Sequence, residues 1–216
     1  MDKRFAIFDF DGTLVDSAGF WQETERDFLS RRGITGDISA IVEKTKPMTV
    51  PEASRFFIQT YGFDESPDAM SDEMYAAMTR HYREDVPLKD GAAAYLADLA
   101  GRGVQMCVAS ATAARLMREC LDRMGVGSYF AFVLSCMDVG AGKLQPDVYL
   151  AAARRFGAEP GEIAVYEDAP YALRTAKQAG FYTIGVYDAS AAAHWDEIRR
   201  IADESLKSWG EGAKKD

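Results

Sequence analysis

The chain has 216 residues, 48% of them hydrophobic and 27% charged, which suits one substantial core with a smaller accessory domain and excludes a largely disordered protein. A net charge of −9 argues against a nucleic-acid surface, because phosphate backbones are held by clustered Lys and Arg. The first apolar stretch is interrupted by Asp9, too soon for a signal-peptide core or a membrane span, and this predicts a cytoplasmic protein without membrane association.

Residues 5–8 form the first short apolar run, and it ends in Asp9-Phe10-Asp11-Gly12-Thr13. Extended backbone would put Asp9 and Asp11 on one face, with Gly12 allowing the chain to turn away tightly. Residues 18–86 carry helical periodicity and no convincing strand. Within them, Thr49-Val50-Pro51-Glu52 reads as a capping box with proline in the first turn, opening a helix that bears Phe56 and Phe57. Met70, Met74, Met78 and His81 with Tyr82 then recur at spacings of four and three, a stripe read as core filler.

From residue 87 onward the rhythm changes. Apolar runs at 104–109, 132–134, 163–166 and 182–186 alternate with helical stretches at 92–100, 113–124, 146–156 and 170–179. Gly125, Gly157 and Gly180 follow three of those helices, where a left-handed cap is wanted. Buried runs joined by helices predict an α/β fold on a parallel sheet. Cys107, Cys120 and Cys136 read as reduced packing residues, and His81 and His194 are too few for a multi-histidine zinc site. The tail after Leu206, with WGEGAKKD at its end, is expected to fray there.

In an open parallel sheet, ligands bind beyond the carboxyl ends of the strands where strand order reverses. Three of the runs end in Asp9 to Thr13, in Ser110-Ala111-Thr112 and in Glu167-Asp168, while Gly142-Lys143-Leu144-Gln145-Pro146-Asp147 lies in the connection after the third strand. Gathered carboxylates repel by about 4 kcal/mol per pair at 4 Å and an effective dielectric near 20. A hard divalent cation offsets this, and magnesium accepts one or two carboxylates together with a substrate phosphate. Asp9 then stays ionised as a nucleophile, Asp11 is suited to general acid/base work, and Ser110 and Lys143 can hold a phosphoryl group. Taken singly, Ser110 or Thr112 would cap a helix, Lys143 would be solvated, and Asp168 would cap the helix starting near Pro170. Their shared placement at strand ends favours the site.

The segments DFDGTLVDS, SAT, GKLQPD and YEDAPYALRTAKQAG resemble, in order, the four motifs of the haloacid dehalogenase superfamily, within its beta-phosphoglucomutase and sugar-phosphatase branch. The resemblance implies a Rossmann-like core, residues 1–17 and 87–216, with an inserted all-helical C1 cap at 18–86. It implies Asp9 as nucleophile, Asp11 as acid/base, and Ser110, Ala111 and Lys143 around the phosphate. Mg2+ would rest on the Asp9 carboxylate, the Asp11 backbone carbonyl and Asp168, with Glu167 beside it through a water or a hydrogen bond. The partner would be a small phosphorylated metabolite such as a sugar phosphate; the oligomeric state stays open.

Asp11 argues against the dehalogenase and phosphonatase branches, which lack it. Phe20 and Trp21 stand where the mutase pattern has a histidine, so phosphatase ranks above phosphomutase, and a non-catalytic phosphate-binding module ranks below both because no motif residue is missing. Leu144 and Ala169-Pro170 depart from the usual loops without removing a catalytic group. Substrate choice would fall to the cap, with Phe20, Trp21, Lys44, Lys46 and Arg55 as first candidates, and Trp21 with one of the two lysines at the entrance.

Overall fold

A computed structural model describes residues 2–212. In chain order the elements are β1 (Phe5–Phe8), α1 (Ala18–Arg31), α2 (Ser39–Thr45), α3 (Val50–Tyr61), α4 (Pro67–Glu84), α5 (Ala92–Gly101), β2 (Gln105–Ser110) and α6 (Ala114–Arg123). They continue with β3 (Phe130–Ser135), α7 (Cys136–Val139), α8 (Asp147–Phe156), β4 (Ile163–Glu167), α9 (Pro170–Gln178), β5 (Tyr182–Val186), α10 (Trp195–Ile201) and β6 (Glu204–Leu206). The strands form one sheet in the order β3-β2-β1-β4-β5-β6, and every pairing is parallel. The chain builds outward from β1 to β3, then returns to lay β4 on the other side of β1. The order therefore reverses between β1 and β4.

Both faces of the sheet are covered. Ala6 and Phe8 pack with Leu96, Leu99, Met117 and Leu121 on one face, while Phe5 and Ile7 pack with Tyr149, Ala152 and Ala176 on the other. That alternation follows from the period-two direction of strand side chains. It also explains why buried parallel strands read as continuous apolar runs.

Helices α1 to α4 enclose a separate apolar cluster of Phe28, Leu29, Ile38, Val50, Ala53, Phe57, Met70 and Met74. The methionine stripe is core, though divided: Met78 and Tyr82, at the end of α4, join the core beneath the sheet. The capping box opens α3 as expected. The Glu52 N–H donates to Thr49 Oγ1 at 3.4 Å and the Thr49 N–H to Glu52 Oε2 at 2.7 Å.

Three points differ from the expectation. β6 was not anticipated, because Glu204-Ser205-Leu206 has no apolar run; its pairing with β5 and the Tyr182 hydroxyl donating to Glu204 Oε1 at 2.8 Å bury it. Trp209, in the tail read as polar, is buried against Tyr95 and Tyr166, with ring centroids 5.1 and 5.9 Å away. The end expected to fray, residues 213–216, lies outside the described residues. The helices α6 and α8 begin one residue later than read, at Ala114 and Asp147. The three cysteines are buried and unbonded, and among the described residues no helix is long and apolar enough to cross a membrane.

Candidate active site

Asp9 is the first residue beyond β1, and its N–H donates to the Tyr166 carbonyl at 2.9 Å, tying it to β4 at the reversal. The chain then turns at once: Leu14 and Val15 both donate to the Phe10 carbonyl, and Gly12 to that of Val15. Gly12 has φ +79°, and a Cβ there would lie 2.6 Å from Asp168 Oδ2. Glycine lets the loop pass against that carboxylate. A cavity of about 190 Å³ opens here, lined by Asp9, Asp11, Ser110, Ala111, Lys143, Glu167 and Asp168. All the residues singled out at the strand ends thus meet in one place.

Lys143, a residue only 4% exposed, donates through its ammonium to Asp9 Oδ1 and Glu167 Oε1. The Tyr149 hydroxyl also donates to Glu167 Oε1, at 2.6 Å, and the Thr13 hydroxyl to Asp168 Oδ1 at 3.1 Å. Asp9, Glu167 and Asp168 are all buried, with carboxylate oxygens within 4.8 Å of one another. Burial and then repulsion by Asp9 push Glu167 up to about 8, against the pull of Lys143. The same two causes push Asp168 up to about 7. Burial opposes the charge on Lys143, but Asp9 and Glu167 outweigh it and hold the ammonium above the ordinary lysine range.

One ammonium does not neutralise three carboxylates. The donor set is all hard oxygen, buried and undercompensated, which fits a divalent cation of the magnesium or calcium type. A pH effect follows for the metal-free protein. Glu167 and Asp168 bind protons more tightly folded than unfolded, so their contribution to stability is full below about pH 4 and is lost as pH rises to about 8. Denaturant titrations in EDTA should show stability falling across that window, and magnesium should restore it at the alkaline end. A flat profile in EDTA would remove this account of the cluster.

Asp11 occupies a different environment. Its carboxylate is not part of the metal-type cluster; instead Oδ1 accepts from Ser17 Oγ and Tyr82 OH, each at 2.6 Å, and Oδ2 from Thr112 Oγ1 at 2.6 Å. Trp21 Nε1 donates to Tyr82 OH at 2.8 Å and lies 3.4 Å from Asp11 Oδ1. Burial raises the Asp11 pKa, the Ser17, Thr112 and Tyr82 hydroxyls lower it, and Asp9 raises it further, with a net rise. Two aspartates two residues apart thus have distinct partners, because the chain turns after β1 rather than continuing as strand.

The simpler readings of these residues do not hold. Ala113 is the N-cap of α6 and Ala169 that of α9, so neither Ser110, Thr112 nor Asp168 caps a helix. Ser110 Oγ accepts from the Thr112 N–H at 3.3 Å, inside the cavity wall. β4 ends at Glu167, so Asp168 lies beyond the strand and both carboxylates reach the same place.

On the helical side, Trp21 and Lys46 line the cavity, and the Lys46 carbonyl accepts from Tyr171 OH at 3.0 Å. The other candidates lie elsewhere. Lys44 Nζ sits 4.6 Å over the Phe56 ring, Arg55 is exposed, and Phe20 packs 4.8 Å from the His81 ring. Lys44 and Lys46 are two residues apart at the end of one helix, a spacing that turns them to opposite sides.

A parallel α/β sheet with an acidic, ammonium-bearing cavity at its reversal point is the architecture of an enzyme, with its chemistry at the strand ends. Residues 4–180 match the family described as haloacid dehalogenase-like hydrolase. The chain belongs to that family, and it is a hydrolase. It is 33% identical to (DL)-glycerol-3-phosphatase 1, mitochondrial, of Arabidopsis thaliana over 94% of this chain and 69% of that protein. It is 28% identical to the fructose-1-phosphate phosphatase YqaB of Escherichia coli, over 86% of this chain and 98% of the other. In fold it is similar to beta-phosphoglucomutase from Clostridium difficile, with a TM-score of 0.80 at 20% identity, covering 97% of this chain and 92% of that one.

Proposed function

We propose that the protein is a magnesium-dependent phosphatase that hydrolyses a small phosphorylated metabolite, a sugar phosphate or a similar ester, through an aspartyl-phosphate on Asp9. The observation that carries this reading is the contrast between the two aspartates: Asp9 is bound by an ammonium within the carboxylate cluster, and Asp11 is held apart by hydroxyls with its pKa raised. One is equipped to attack and the other to carry a proton. Residues 18–86 act as the cap, anchored at the end of α4 by Met78 and Tyr82, over a core of 1–17 and 87–216.

Asp9, the Asp11 backbone carbonyl and Asp168 would hold Mg2+, with Glu167 beside it; when bound, the ion would neutralise charge on the phosphoryl oxygens. An Asp9 oxygen attacks phosphorus as the ester P–O bond breaks, and Asp11 delivers its proton to the departing alkoxide. Ionised Asp11 then takes a proton from water as that water attacks phosphorus, freeing phosphate and Asp9. Lys143, Ser110 and the Ala111 backbone hold the phosphoryl group throughout. Trp21 offers an N–H to Asp11 where a mutase would carry a histidine, so this position supplies no titratable group for returning a proton to a sugar.

Phosphate release from sugar phosphates, polyol phosphates, nucleotides and an aryl phosphate, each with magnesium or EDTA, tests the reading. Magnesium-dependent release from a metabolite ester is expected; its absence across the panel with folded protein rejects it. Tyr82→Phe removes one hydroxyl from Asp11, a hydrogen bond to a charged group, and should lower kcat roughly tenfold with little change in KM. Unchanged kcat would show that Tyr82 only fills space.

A further inference from the structure

Glu25 lines the cavity from α1, on the wall built by the helical insert, and it enters none of the steps above. Among the described residues its carboxyl has one protein donor within reach, Thr45 Oγ1 at 3.4 Å. That hydroxyl has a single proton, and it also lies 3.1 Å from the Ile41 carbonyl and 3.2 Å from that of Val42. Glu25 is therefore undersupplied with donors, and it forms no ion pair among the described residues. Val42, Met48, Val50 and Met74 share its wall, so little around it can substitute for water. A half-buried carboxyl that faces a cavity with acceptor capacity the protein does not use can take hydrogen bonds from a bound ligand in place of water.

Charge on this wall narrows the ligand. Glu43, an exposed residue, also lines it, with His194 Nε2 3.9 Å away. Lys46 is a cation on the same wall, and its backbone carbonyl accepts from Tyr171 OH at 3.0 Å, in the helix that follows Asp168, which ties it to the carboxylate-cluster end of the cavity. Glu25 has no ion-pair partner among the described residues, so a second anionic group of a substrate placed beside it would meet an uncompensated carboxyl.

Building on the phosphatase reading, we propose that Glu25 is a specificity-determining residue: it accepts hydrogen bonds from hydroxyls of a neutral polyol carrying a single phosphate, and it disfavours esters bearing a second anion. Burial lifts the Glu25 pKa to about 7, the Thr45 hydroxyl lowering it, which agrees with a carboxyl awaiting donors. Hydroxyls suit it in either protonation state, because a neutral carboxyl still accepts at its carbonyl oxygen.

The test compares kcat/KM for a hexitol monophosphate, propyl phosphate, aminoethyl phosphate and a hexose bisphosphate in wild type, Glu25→Ala and Glu25→Gln, with thermal melts confirming folding. In Glu25→Ala the hexitol-to-propyl ratio should fall roughly tenfold to a hundredfold, because a site built to bond hydroxyls loses its preference for them. At a pH well above the raised Glu25 pKa of about 7, Glu25→Gln keeps the shape and removes the charge, and should raise the bisphosphate relative to the hexitol ester. An unchanged hexitol-to-propyl ratio overturns the role of Glu25 alone, as does a selective loss confined to aminoethyl phosphate, which would mark a cation site. No release of any ester by wild type would instead reject the phosphatase reading itself.

Discussion

Asp9→Asn will lose roughly 10⁴-fold or more of the phosphate-releasing activity while the folded protein is retained. The size follows from position. Asp9 is the carboxylate at the reversal of strand order, bound to the Lys143 ammonium and flanked by Glu167 and Asp168. An amide has nearly the same shape but is a poor nucleophile, and the remaining groups can bind the ester without opening a path to a covalent intermediate. Stability should move the other way. Asp9 is a cause of the raised pKa of both Glu167 and Asp168, so removing its charge relieves repulsion in the metal-free protein. Asp9→Asn in EDTA at pH 8 should melt no lower than wild type, even though a Lys143 partner is weakened. A variant that retained substantial activity would show that another group attacks phosphorus; one that was inactive but unfolded would leave the test to Asp9→Glu, which keeps the charge and displaces it.

The parts of this site that the sequence shows are those set by strand ends. Asp9, Ser110 and Glu167 each close a run of buried residues, and a parallel sheet brings such ends to one edge whatever the intervening length. Lys143 was legible because it lies in the connection leading back toward the reversal. The hydroxyl residues that hydrogen-bond the buried carboxylates were not. Tyr82, which donates to Asp11 from 71 residues away, is one member of an apolar helical stripe, and its hydroxyl gives no sign in the sequence of which way it points. Tyr149 on Glu167 was hidden in the same way by the buried face of α8. Thr13 and Ser17 stood inside the first motif, but nothing in the sequence assigned Thr13 to Asp168 or Ser17 to Asp11. The cavity wall built by the helical insert was least legible, because choosing Lys46 over Lys44 or Arg55 depends on the rotation of short helices about their axes. That rotation is fixed by packing among Phe57, Met70 and Met74 rather than by any local pattern.

Lys143→Met tests the electrostatic account most severely. The lysine is buried, and it is the ammonium bonded to both Asp9 and Glu167, with Asp168 adjoining. Methionine preserves much of the volume, so the change isolates charge. Removing one partner from a buried ionic group typically costs about 3–5 kcal/mol, because the partners left behind lose their compensation. A loss of that size is expected at pH 8 in EDTA, where Glu167 and Asp168 are substantially ionised in the wild type. At pH 5 both carboxyls of the folded protein are largely protonated, less charge is left uncompensated, and the loss should shrink. Adding Asp9→Asn to Lys143→Met should restore part of the stability at pH 8, since it removes a carboxylate that the lysine no longer offsets. This is a coupling that a double-mutant cycle reads directly. Equal losses at both pH values, with no coupling to Asp9, would mean that Lys143 stabilises the fold by packing and that the charge balance of the cavity is set elsewhere.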